Sequence, residues 1–199
     1  MRSRLEIQRE YDALYKSKPK KWSSLDRSNF MIEALKKHTS NVNTVIDIGC
    51  GIGVALENYG RHNPGAKLYG TDFSKEAISL SQKLIPNGRF TTQDEFDDIK
   101  QFDLVMCLGV AEHVEDLPPF LISLKHKLTP NGFCYFEVPH NLEYSKGPET
   151  FRRLETRSRQ WEWHYPREKW ESLLLTAGFE IVEKCVGLNA TWEFIWILK

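Results

Sequence analysis

No uninterrupted apolar run in this 199-residue chain is long enough to span a bilayer, and no internal repeat or low-complexity segment interrupts it. The stretch Met1–Glu6, M-R-S-R-L-E, lacks the apolar core of a signal peptide. Cysteine is scarce: Cys50, Cys107, Cys134 and Cys185 are scattered, with no C-x-x-C pair among them. That spacing argues against a disulfide framework and a zinc site, and makes a reducing cytoplasm the expected location. Two of them, Cys107 and Cys134, fall inside predicted strands, where a thiol behaves as a small apolar group. Net charge is missing as well, because 27 Lys+Arg balance 27 Asp+Glu. Neutrality argues against a dedicated electrostatic nucleic-acid binder. What is present, 41% hydrophobic residues, is enough for one domain with a substantial core.

The most informative stretch is Val45–Gly53, V-I-D-I-G-C-G-I-G, followed by Gly70-Thr71-Asp72-Phe73-Ser74. Thr44–Ile48 is a short run rich in β-branched residues and predicts a buried strand. Gly49, Gly51 and Gly53 then clear side chains from a strand-to-helix turn, so that backbone can approach a ligand. Val54–Arg61 continues as a helix whose free N–H groups face that turn. Asp72 ends the next predicted strand, where a carboxylate can accept hydrogen bonds from both hydroxyls of a ribose. The glycines run G-x-G-x-G, with Val54 where the dinucleotide fingerprint has its third small residue. Asp47, two positions before the first glycine, suits a ligand with an ammonium group better than one with a pyrophosphate.

Around this motif, predicted strands alternate with helices, the pattern of a parallel sheet covered on both faces. Helices are expected at Arg4–Tyr15, Asp26–Lys37, 54–61, from an N-cap at Ser74 to about Leu84, and at 118–127. Strands are expected at 44–48, 67–71, 89–92, 102–107 and 133–138. A polar region from Pro139 to about Tyr165 is too long for an ordinary connector, so a functional insertion with a helix of its own is expected there. Pro166 suits the first turn of a helix ending at Ala177-Gly178. Phe179–Val186 and Thr191–Leu198 then form a hairpin-like pair of strands.

The acid followed by G-x-G-x-G resembles the first motif of the class I S-adenosylmethionine (SAM)-dependent methyltransferases. The stretch Phe102–His140 resembles the centre of their small-molecule branch, with Glu112-His113-Val114 after a fourth strand and Leu128-Thr129-Pro130-Asn131-Gly132 as the turn before a fifth. The likeness covers Thr44–Val138 well and the two ends in outline. It implies an α/β fold: a Rossmann-like class I methyltransferase sandwich, a mostly parallel seven-stranded sheet with a C-terminal antiparallel hairpin and helices on both faces. It implies a single domain over 1–199, with an N-terminal helical lid (1–40), a cofactor-binding core (41–138), a substrate-side insertion (139–165) and a closing helix and hairpin (166–199).

The same resemblance implies residue roles. Asp47 would hold the SAM ammonium, while Gly49, Cys50, Gly51 and Gly53 would bring backbone to the ribose and methionyl portions. Asp72 would bind the ribose, Phe73 would pack on the adenine, Asp94 with the Glu95 backbone would take the adenine amine, and Leu108 would line the sulfonium end. The expected reaction is direct displacement at the SAM methyl carbon, leaving S-adenosylhomocysteine (SAH), with a small-molecule oxygen or nitrogen as acceptor. A hydroxyl acceptor needs a base, and His113 leads the candidates; Glu112, His140 and His164 face the same expected end.

Two alternatives stand beside this reading. Glu112-His113 and Pro139–Tyr144 look somewhat like the RNA 3′-terminal ribose 2′-O-methyltransferases, which hold a divalent metal with an E-x-x-E-H run and a distant His. Here Gly109 takes the first Glu position and Ser158-Arg159-Gln160 carries no His, so no metal is expected; frequent Lys and Arg over 146–169 keep RNA in view. The second alternative is a non-catalytic SAM-binding module. Its mark would be decay of the glycine loop or of the ribose acid, and neither has decayed. The expected protein has no membrane partner and is a monomer or homodimer.

Overall fold

The computed structural model describes residues 3–18, 24–39, 41–92, 96, 99–139, 151–153, 161–163, 165–186 and 193–199. Helix α1 spans Arg4–Ser17 and starts with a capping box, in which the Glu6 carboxylate accepts from the Ser3 N–H at 2.8 Å and the Ser3 hydroxyl accepts from the Glu6 N–H at 3.2 Å. Helix α2, Leu25–Leu35, is capped by Ser24 and buries Ser28, Met31, Ile32 and Leu35, one stripe at helical spacing. The alternating core follows as β1 (Thr44–Ile48), α3 (Val54–His62), β2 (Lys67–Thr71), α4 (Lys75–Leu84), β3 (Arg89–Thr91) and β4 (Phe102–Leu108). A 3₁₀ turn, Ala111–His113, then leads to α5 (Leu117–His126) and β5 (Leu128–Pro139). Two short strands, β6 (Phe151–Arg153) and β7 (Trp161–Trp163), precede α6 (Arg167–Thr176), β8 (Ile181–Val186) and β9 (Glu193–Leu198).

Seven strands form one sheet in the order β3-β2-β1-β4-β5-β9-β8. The first five run parallel, and β9 is antiparallel to both β5 and β8. From β1 the order proceeds to β2 on one side and to β4 on the other. That reversal opens a crevice at the carboxyl ends of β1 and β4, where a doubly wound sheet binds its ligand. Side-chain alternation divides the interior into two layers. Ile46, Val105, Cys107 and Phe136 face Leu121, Leu124, Trp170 and Leu174 of α5 and α6. Val45, Leu104, Met106 and Tyr135 face Met31, Ile32, Leu35, Leu56 and Tyr59 of α2 and α3.

Three differences from the sequence reading have physical causes. The turn expected at Leu128–Gly132 lies within β5: Phe102 pairs with Leu128 and Leu104 with Phe133, so Thr129–Gly132 bulges out of the ladder. The described part of the insertion is strand rather than helix, with Phe151–Arg153 pairing antiparallel to Trp161–Trp163; aromatic residues at alternate positions favour a pleated surface. Pro166 caps α6 rather than entering it, at φ −66° and ψ 163°.

Candidate cofactor and acceptor site

The β1–α3 turn is shaped by hydrogen bonds from β2. Gly49 and Cys50 both donate their N–H to the Thr71 carbonyl, at 2.7 and 2.9 Å. The Asp72 carboxylate then crosses to the loop, accepting from the Gly51 N–H through Oδ2 and from the Ser74 N–H through Oδ1, each at 2.9 Å. Gly51 has φ +54°, and a Cβ placed there would stand 2.8 Å from the Tyr15 hydroxyl. At Gly49, φ +72°, a Cβ would come within 2.3 Å of a Val110 methyl. Both positions therefore require glycine, for conformation and for space.

Helix α1 lies on this turn. Its Gln8 amide donates to the Phe73 carbonyl at 3.0 Å. The Asp12 carboxylate accepts from the Ser74 hydroxyl at 2.6 Å and from the Glu76 N–H at 3.1 Å. Tyr15, 6% exposed, reaches Gly51 itself, and burial followed by the nearby Asp72 charge raises its phenol far above the ordinary value. Phe73 is 39% exposed and so presents a ring for stacking.

Three carboxyl groups and one guanidinium meet at the carboxyl ends of β1, β4 and β5. Asp47 pairs in register with Met106, and Leu108 with Glu137, which puts Asp47 and Glu137 on the α2 face of the sheet. The Arg27 Nε of α2 donates to Glu137, which is fully buried and also accepts from the Tyr135 hydroxyl at 3.3 Å. Arg27 Nη2 lies 3.0 Å from the point where a Gly109 Cβ would stand, and Glu112 Oε1 lies 3.4 Å from the same point. Burial, then repulsion from Asp72, pushes Asp47 up to about 8, against the opposing pull of Arg27. Burial pushes Asp72 up to about 6, offset in part by its two backbone donors. Glu112 is pushed up to about 7, chiefly by burial and against the His113 charge. Its Oε2 has no hydrogen-bond partner among the described residues, and its Oε1 stands 3.7 Å from His113 Nε2.

Of the residues singled out in the sequence, Asp47, Gly49, Cys50, Gly51, Asp72 and Phe73 surround the β1–α3 and β2–α4 turns. Gly53 is the left-handed N-cap of α3 at φ +83°, packed on Ser81 of α4. Leu108 ends β4, with its side chain against the α2–α3 layer. Glu112 and His113 occupy the 3₁₀ turn beyond β4. Asp94, Glu95, His140 and His164 lie outside the described residues. Sequence reasoning missed Arg27 and Glu137. Glu137 had a signal, a charge inside the apolar run F-C-Y-F-E-V. Arg27 had none, since its partner is 110 residues away.

Gly109 is also the position where the metal-holding RNA enzymes would place their first Glu, and the Arg27 guanidinium stands against it. Among the described residues no group of three or more His, Cys, Asp or Glu could hold a metal ion. No helix of the described chain is long and apolar enough to cross a membrane.

A doubly wound sheet with this strand order, a glycine turn after β1 and a carboxylate after β2 defines the class I methyltransferase fold. The model of one family, described as "Methyltransferase domain", matches residues 15–184, so the chain belongs to that family. A ubiquinone biosynthesis O-methyltransferase of Rickettsia bellii is 29% identical over 116 residues, which is 54% of this chain and 48% of that protein. The chain thus spans about half the length of that curated relative. Among solved structures, a SAM-dependent methyltransferase from Clostridium acetobutylicum has a TM-score of 0.71 at 16% identity, with 98% of each chain covered. The 1,6-didemethyltoxoflavin N1-methyltransferase of Burkholderia thailandensis, solved with that substrate and SAH, has a TM-score of 0.73 at 16% identity, covering all of this chain and 90% of its own.

Proposed function

We propose that the chain transfers a methyl group from SAM to an oxygen or nitrogen of a small organic acceptor. The observation that carries this reading is the Asp72 carboxylate at the end of β2 tied to the Gly51 N–H, across a turn whose two positive-φ glycines let β1, α1 and the β4 end approach closely. The residues suit the cofactor in charge as well as in shape. Asp47 and Glu137 are buried carboxyls beside Arg27, and such a set favours a ligand that carries an ammonium group together with a carboxylate. When bound, SAM supplies a methyl group already activated by its sulfonium.

In this reading Asp72 holds the ribose hydroxyls, Phe73 stacks on the adenine, and Asp47 takes the ammonium. Arg27, close to both Gly109 and Asp47, takes the methionyl carboxylate. Backbone of Gly49, Cys50 and Gly51 lines the ribose and methionyl portions, and Leu108 lines the sulfonium end. Asp94 and the Glu95 backbone take the adenine amine. His113, with 19% of its side chain exposed, is placed to move a proton between the acceptor end and solvent. His140 and His164 are further candidates for that role. Helix α1, seated on the turn through Gln8, Asp12 and Tyr15, covers this part of the crevice and excludes water, which strengthens every electrostatic contact within it.

Titration calorimetry with SAM and SAH tests the reading. Binding of both at micromolar affinity is expected, and absence of binding by the folded protein overturns it. A methyl-transfer screen over phenols, amines, thiols, carboxylates and short RNAs then finds the acceptor, with transfer to RNA alone counting against a small-molecule enzyme.

A further inference from the structure

Glu112 is the anomaly of the site. Its side chain is 5% exposed and one of its oxygens has no donor among the described residues. Leaving a buried carboxyl oxygen without a donor is costly, so a side chain held this way marks a place where a donor is to arrive. The surroundings decide which donor. Glu162 of β7 is 8% exposed and its charge adds to the strain on an ionised Glu112. Strand β7 is fastened to the same turn, because the Trp163 indole donates to the Val114 carbonyl at 2.8 Å. Among the described residues the counter-charges facing Glu112 are His113 and Arg27, and the Arg27 Nε is already engaged by Glu137. The aromatic wall does not supply a better seat for a cation. Trp163 and Tyr165 stack at 5.1 Å, but the Lys169 ammonium already stands 5.7 Å from the centre of the Tyr165 ring.

We propose that Glu112, with Glu162 beside it, recognises a nitrogen-bearing acceptor, so that the methyl group goes to a primary or secondary amine. The proposal rests on the methyl-transfer reading above and narrows its acceptor. An acceptor arriving as an ammonium ion gives one proton to the Glu112 carboxylate, which frees the nitrogen lone pair. That pair forms the N–C bond to the methyl carbon as the C–S bond breaks, and the bonding electrons stay on sulfur. The methylated product leaves as an ammonium ion. The proton on Glu112 passes to solvent by way of His113, whose Nε2 stands 3.7 Å from Glu112 Oε1. A carboxylate-bearing acceptor would meet two buried carboxyls and be repelled.

The test uses the SAH-loaded full chain and three probes of one shape, benzylamine, benzyl alcohol and benzoate, followed by saturation-transfer NMR and calorimetry. Benzylamine is expected to bind at least about tenfold more tightly than benzyl alcohol, and benzoate not to bind. Glu112→Gln should weaken benzylamine by about tenfold or more while SAH affinity stays within about twofold. Glu162→Gln should weaken it less, and thermal melting checks that both variants fold. Equal binding of the alcohol, binding of benzoate, unchanged benzylamine affinity in Glu112→Gln, or binding of none of the three overturns the proposal while leaving the cofactor assignment intact. Failure of SAH itself to bind removes the cofactor reading and this proposal with it.

Discussion

The two halves of the crevice are built by opposite means. At the β1–β2 end the chain's own backbone satisfies the polar groups: Asp72 receives two N–H donors, and Gly49 and Cys50 close onto the Thr71 carbonyl. At the β4–β5 end side chains from distant segments meet one another, and one carboxylate oxygen has no donor among the described residues. A backbone-built half recognises a fixed shape and tolerates little substitution. A half built from side chains can change its ligand by changing single residues, as suits the end that must choose an acceptor.

The largest effect is expected from breaking the backbone-built half. Gly51→Val puts a branched side chain at φ +54° and 2.8 Å from the Tyr15 hydroxyl. Strain of roughly 1–2 kcal/mol adds to displacement of Tyr15 and α1 from the turn. SAH affinity should fall by at least about 100-fold, equivalent to ~2.7 kcal/mol. Calorimetry on a variant that still melts cooperatively measures this, and near-normal affinity would show that the turn does not contact the ligand.

Asp72→Ala comes next. It removes the acceptor proposed for two hydroxyls and also releases the Gly51 and Ser74 N–H groups. Losing these hydrogen bonds to a charged group costs about 1.5–3 kcal/mol in all, so a loss of about 10- to 100-fold in SAH affinity is expected. Asp72→Asn keeps one acceptor oxygen and should recover part of that loss.

The contrast between the halves also explains what could be read from the chain alone. The glycine turn, the strand before it and Asp72 fall within a short stretch, where spacing translates directly into geometry. The alternation of strand and helix and the closing hairpin follow from regular punctuation, while the strand order comes with the family resemblance. The β5 bulge was not legible, because Thr129-Pro130-Asn131-Gly132 is equally good turn chemistry inside or outside a strand. The α1 contacts through Gln8, Asp12 and Tyr15 were not legible either. They depend on where a helix docks, and its sequence specifies only which face is apolar. The Arg27–Glu137 pair is the extreme case, being set wholly by tertiary packing.

A third effect comes from pH and probes the border between the halves. Asp47, pushed up to about 8, binds a proton near neutrality that it must release to hold an ammonium group. SAH affinity should therefore rise from about pH 6 to about pH 8, by no more than the tenfold per unit that one linked proton allows. Stability of the unliganded protein runs the other way. A carboxyl raised in the folded state binds more protons folded than unfolded between its two values. The Asp47 contribution is thus fully present below about 3.8 and is lost as pH rises through about 8. Asp47→Asn should flatten both profiles, measured by calorimetry in buffers of different ionisation enthalpy and by thermal melts. Proton release unchanged in Asp47→Asn would move the titration to Asp72 or Glu112.

The smallest effect on cofactor affinity is expected from His113, and that makes it the sharpest probe of the acceptor half. His113 Nε2 stands 3.7 Å from Glu112 Oε1, in the 3₁₀ turn beyond the β4 end where Arg27 approaches Gly109. His113→Ala should leave SAH affinity within about twofold, because none of the groups proposed to hold ribose, ammonium or carboxylate is altered. Turnover depends on the acceptor. A hydroxyl must lose its proton as the bond to carbon forms, so loss of a positioned base would lower kcat by ~10²–10⁴-fold. An amine that arrives as an ammonium ion gives its proton to Glu112 before the bond forms, so the loss should be about tenfold or less, shrinking further at high pH where the free amine predominates. The pH profile of the variant on an amine therefore distinguishes a proton-moving histidine from one that only packs the turn: a packing role would lower turnover equally at every pH. A large and pH-independent loss would return the proton to another group, with His140 and His164 the next to be replaced.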